Sequence, residues 1–133
     1  MKYKLVIYGN NMYKEVDFPE DFNGSLTIGT DKACQIAFRR DRFMTGFVFR
    51  VDRQEEGQFI ISCNDTIYLT KDFNIKEYVR QLEIGDHLSL CYDFTGTEIF
   101  GIDFLACFEA KGNDYDLAIN CKDSSEISVG GLV

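Results

Sequence analysis

Three arginines fall within four residues at Arg39-Arg40-Asp41-Arg42, the densest positive charge in a 133-residue chain whose net charge is −8. A guanidinium offers paired N–H donors that match a phosphate or a carboxylate, so this run could meet a phosphate or an acidic patch. A charged run between apolar segments also reads as a solvated loop. Other chemistry is sparse. The one histidine, His87, follows Asp86, but neighbours in a strand point to opposite faces and cannot act as a dyad. The five cysteines, Cys34, Cys63, Cys91, Cys107 and Cys121, include no C-x-x-C pair. Scattered along apolar runs, they fit free thiols in a reducing compartment. Apolar neighbours predict inert thiols of raised pKa at Cys63 and Cys91. Asp114, Asp116, Asp123 and Glu126 lack the spacing of a calcium loop, and no phosphate loop of the Gly-x-x-x-x-Gly-Lys type is present. The expectation is a protein with no catalytic residue, no metal and no cofactor.

The elements that must carry these residues read as strands. Phe47, Phe49 and Val51 alternate with Val48, Arg50 and Asp52, and Tyr3, Leu5 and Ile7 share one face of a first run. Further strands are expected at 58–62, 66–70, 87–92, 98–108 and 115–121. Turn signals separate them, among them Gly9-Asn10-Asn11, Asn23-Gly24 and Thr95-Gly96. Only residues 74–82, with Ile75, Tyr78, Val79 and Leu82, follow helical spacing, and they fit a turn of helix or an irregular loop equally. The fold predicted is an all-β sandwich of about ten or more short, mostly antiparallel strands. Twelve Phe and seven Tyr suit such half-buried pleated surfaces.

A net charge of −8 opposes binding to nucleic acid or an anionic membrane. No stretch approaches the ~18 apolar residues of a membrane span. The chain is therefore expected to be cytoplasmic. Near its C-terminus the pattern starts again. Leu117, Ile119 and Ser125-Glu126-Ile127-Ser128-Val129-Gly130-Gly131 echo Val16, Phe18 and Ser25-Leu26-Thr27-Ile28-Gly29-Thr30. The expected division is a domain over 1–111, then a linker and the opening strands of a truncated second domain over 112–133. Apolar residues exposed in that last segment would favour a homodimer.

Two corners punctuate the first domain. Gly29 is expected to take a backbone conformation that a side chain would forbid, and Gly85-Asp86 to sit in a tight bend before a strand. In order, Ile28-Gly29-Thr30, Cys34-Gln35-Ile36-Ala37-Phe38, Asn64-Asp65-Thr66 and Leu82-Glu83-Ile84-Gly85-Asp86-His87-Leu88-Ser89-Leu90 resemble the forkhead-associated (FHA) domain. That family has an Ile-Gly-Arg corner, a D-I-x-L strand, an Asn-Gly-Thr turn and a Leu-x-x-Gly-Asp-x-Ile-x-Leu hairpin. The resemblance spans roughly residues 3 to 108. It implies a sandwich that binds phosphothreonine peptides with loops at one end. The loops carrying Thr30, Arg39–Thr45, Asn64-Asp65 and Phe73–Gln81 should then gather there.

The resemblance also implies a loss. Thr30 stands where the family has its phosphate-binding arginine, Thr45 near the family's serine, and no histidine follows; Asn64 alone matches. A degenerate copy followed by the start of another is similar to the tandem FHA region of FtsK/SpoIIIE-type membrane ATPases in Gram-positive type VII secretion. The implied role is a non-catalytic protein–protein interaction module whose protein partner is a secretion-system component or a neighbouring domain. Its alternative is phosphothreonine-peptide binding through Arg39, Arg40, Arg42 and Asn64.

Overall fold

A computed structural model describes residues 1–40 and 44–107. Ten strands make up the described chain: β1 (Lys2–Gly9), β2 (Met12–Phe18), β3 (Gly24–Gly29), β4 (Ile36–Ala37), β5 (Val48–Arg53), β6 (Ile60–Cys63), β7 (Ile67–Thr70), β8 (Val79–Gln81), β9 (His87–Tyr92) and β10 (Glu98–Cys107). They form two five-stranded sheets, ordered β2-β1-β10-β9-β7 and β4-β3-β5-β6-β8. Every pairing is antiparallel except that of β3 with the two-residue β4. This is the all-β sandwich that the alternation predicts. Arg42, Cys121 and the whole of 112–133, with its expected strand, second domain and dimer contact, lie outside the described residues.

Period-two burial builds the core. In β5, Phe49 and Val51 are buried while Arg50 is exposed, and Leu5 and Ile7 of β1 face them from the other sheet in one apolar cluster. Phe100 of β10 meets Phe47 edge-on, with centroids 5.2 Å apart, and joins the layers near one end. At the other end Phe59 lies 5.2 Å from Phe104 and 5.0 Å from Phe18. Each fully buried ring or aliphatic chain contributes about 1.5–3 kcal/mol relative to exposure.

Two stretches differ from expectation. Residues 12–18, outside the expected strands, form β2, an edge strand in which only Val16 and Phe18 are buried. Residues 79–81 form β8, and no helix occurs among the described residues. Tertiary pairing with β6 overrides the helical spacing there, because Cys63 N–H donates to the Tyr78 carbonyl and Leu82 N–H to that of Phe59.

The sandwich has two ends. At one lie the β1–β2 turn, residues 30–35, the segment that ends at Phe47, Asn64–Thr66 and the Asp93–Thr97 turn. At the other, Lys2 pairs with Cys107 and Gly24 with Arg53. The Phe73 segment does not join the first group, contrary to the expectation above. It leaves β7 at Thr70, opposite Ser89, and Lys71 Nζ lies 3.5 Å from Asp86, at the far end of β9 from Tyr92. A bridge between Leu69 and Glu77 turns the chain back, so only Lys76 and Tyr78 return toward Asp93.

Candidate functional site

Gly29 sets up the first end. Its need for glycine is spatial, not conformational: no positive φ is found there. A Cβ would lie 2.2 Å from the Phe47 carbonyl oxygen and 2.8 Å from Val48 Cα. The expected special backbone conformation is found instead at Gly85, where φ is +93°. With β3 pressed against β5, Thr30 N–H donates to the Phe47 carbonyl at 2.8 Å, and Phe47 N–H donates to Thr30 Oγ1 at 2.9 Å. Oγ1 also donates to the Phe47 carbonyl at 3.2 Å. Thr30 is thus a half-buried staple between two strands, its hydroxyl occupied as donor and as acceptor.

The other predicted site residues surround this staple. Arg40 Nε donates to the Met44 carbonyl at 2.8 Å, and a Cβ on Gly46 would stand 3.0 Å from Thr30 Oγ1 and 3.8 Å from an Arg40 nitrogen. Thr30 and Arg40 are therefore neighbours across Gly46. Thr45 is exposed, and its carbonyl accepts from the Tyr92 hydroxyl. Arg39 is exposed and has no hydrogen bond or ion pair to another described residue. Asn64 closes its own turn: Oδ1 accepts from Thr66 N–H at 3.0 Å and from Thr66 Oγ1 at 2.6 Å. Its amide N–H groups bond to no described residue.

Between these loops lies a groove of about 500 Å³, lined by Asn10, Asn11, Met44, Thr45, Tyr92, Thr95, Thr97, Glu98 and Ile99. Burial raises the pKa of the Tyr92 phenol, and the charge of Arg40 opposes the rise. Beside the groove Phe94 is 97% exposed at the tip of the β9–β10 turn. Asn10 shapes the opposite wall with φ of 50°, its Nδ2 donating to the carbonyls of Glu98 and Ile99. As sequence, Gly9-Asn10-Asn11 and Thr95-Gly96 signal only turns. Their meeting with Met44 and Thr45 depends on strand order, which no local pattern carries.

The best-matched motif, Leu82 to Leu90, builds scaffold at the far end. Asp86, 3% exposed, receives Arg80 Nε at 3.2 Å, Arg80 Nη2 at 3.1 Å and Glu83 N–H at 2.9 Å. Burial alone would raise its pKa, but these donors outweigh it and hold the carboxyl below its ordinary value. Asp86 and His87 face apart, as predicted: His87 is largely exposed, on the outer face of its sheet. Cys63 is pushed up to about 12 by burial, and Cys91 is also raised, chiefly by burial. Among the described residues no three His, Cys, Asp or Glu side chains converge on a metal position. Comparison with protein-family models, curated proteins and solved structures finds no match to this chain.

Proposed function

We propose that this chain is a non-catalytic protein–protein interaction module, an FHA-type sandwich without the phosphate-binding arginine. Its proposed setting, which rests on the resemblance alone, is the cytosolic N-terminal part of a type VII secretion ATPase of the FtsK/SpoIIIE type. The observation that carries the interaction reading is Thr30: uncharged, half-buried and fully engaged with the Phe47 backbone. A corner built this way offers no donor to a phosphate, while the groove and the exposed Phe94 beside it offer an uncharged peptide both hydrogen-bonding groups and apolar contact. One observation favours phosphothreonine recognition instead. Arg39 and the Asn64 amide stand at the same end without partners among the described residues.

Calorimetric titration separates the two, using a phosphothreonine peptide library beside unphosphorylated copies. The interaction reading predicts no phosphate-dependent binding tighter than roughly millimolar. Micromolar binding that requires phosphate and is lost when Arg39, Arg40 and Arg42 are changed to alanine would establish the second reading.

A further inference from the structure

On the outer face of the first sheet, three neighbouring strands bring three donor atoms together. Tyr8 of β1 lies across β10 at its register partner Gly101, where a Cβ would come within 2.8 Å of the tyrosine ring. Glycine in the middle of a strand is unfavourable in itself; here it makes room for the ring to cross. The phenol reaches Asp103 of β10 and His87 of β9, which are register partners. Tyr8 Oη is 2.7 Å from His87 Nδ1 and 3.0 Å from Asp103 Oδ1, and Nδ1 is 2.5 Å from Oδ1.

Protons serve this triangle poorly. Nδ1 carries either one proton or one lone pair, and the phenol carries one proton. Three short contacts therefore share at most two protons while Asp103 is ionised. A cation satisfies all three donors at once. In a tetrahedral zinc shell with bonds of about 2.0–2.1 Å, ligand atoms stand about 3.3 Å apart, so the three contacts open by about 0.3–0.8 Å as the ion enters.

We propose that Tyr8, His87 and Asp103 form a site for a first-row transition-metal dication, with its remaining coordination positions open to solvent. An imidazole, a carboxylate and a phenol suit zinc or copper better than calcium or magnesium, which take all-oxygen shells. The His87 side chain is 69% exposed, so the ion can enter without any opening of the sandwich.

The full chain titrated with zinc chloride under reducing conditions tests this, with cobalt(II) as a spectroscopic probe. One equivalent should bind in the micromolar range, and zinc should raise the melting temperature. His87→Gln and Asp103→Asn should each weaken binding by roughly tenfold or more, and Tyr8→Phe by less. All three positions lie on the outer face, so the far-UV spectrum should be retained. The cobalt spectrum should lack thiolate charge-transfer bands, which excludes the cysteines. No saturable zinc binding below millimolar, zinc binding that survives His87→Gln, or a thiolate signature would each overturn the proposal.

Discussion

Thr30→Val keeps the shape of Thr30 and removes both hydroxyl bonds to Phe47, leaving the Phe47 N–H without its acceptor. A loss of about 1–3 kcal/mol is expected, read by urea denaturation. Thr30→Arg sacrifices the same staple, so any phosphothreonine affinity it restores should come with lower stability and stay near millimolar at best. Gly29→Ala is more severe. Its Cβ would overlap a backbone carbonyl that cannot move without separating β3 from β5, and a loss of about 3 kcal/mol or more is expected. Among Cys34, Cys63 and Cys91, a maleimide at neutral pH should label Cys34 first in the folded protein, because burial keeps the other two as thiols. That inertness was legible from apolar neighbours. The role of Thr30 was not: the sequence marks an absent arginine, whereas only the register of β3 on β5 reveals what the hydroxyl does instead.

Between elements, Asp86 and Arg53 tie segments that share no sheet pairing. Asp86 joins the β8–β9 turn to Arg80, and its pKa is lowered in the folded state. Its contribution is present above the unfolded aspartate value, about 3.9, and is lost as pH falls through the lower folded value. Acid unfolding followed by fluorescence should therefore shift to higher pH in Asp86→Asn, with lower stability at neutral pH. Arg53, 6% exposed, donates to the Glu20 and Gly57 carbonyls and packs 5.1 Å from the Tyr3 centroid and 4.8 Å from that of Phe59. Lysine cannot reproduce a planar donor packed against two adjoining rings, so Arg53→Lys should cost on the order of 2 kcal/mol. Strands with a clear two-residue period were readable. β2 and β8 were not, because an edge strand with few buried residues carries little alternation. A related device protects β3: Gln35 Oε1 accepts from Thr27 N–H at 3.0 Å, occupying an edge donor that β4 is too short to pair.

For the molecule as a whole, apolar periodicity and turn signals sufficed for fold class, and a far-UV spectrum should show a β-type minimum without the double minimum of helices. The candidate site was legible in part. Thr30, Arg39, Arg40, Thr45 and Asn64 do lie at one end, because each follows or precedes a strand whose direction alternation and turns imply. The Tyr8–His87–Asp103 triangle was invisible, since residues 8, 87 and 103 meet only once β1, β10 and β9 are placed side by side.

That same adjacency has a mechanical side. Lys2 and Cys107 face each other at the start of β1 and the end of β10. Tension applied through these two points acts across the strands, along the direction of their hydrogen bonds. The β1–β10 ladder is then loaded one rung at a time, so it opens like a zipper; it is not sheared as a unit. A pull between Lys2 and Cys107 should open that seam at low force, while a pull between Lys2 and the Asp93–Thr97 turn, directed along β1, should meet much greater resistance.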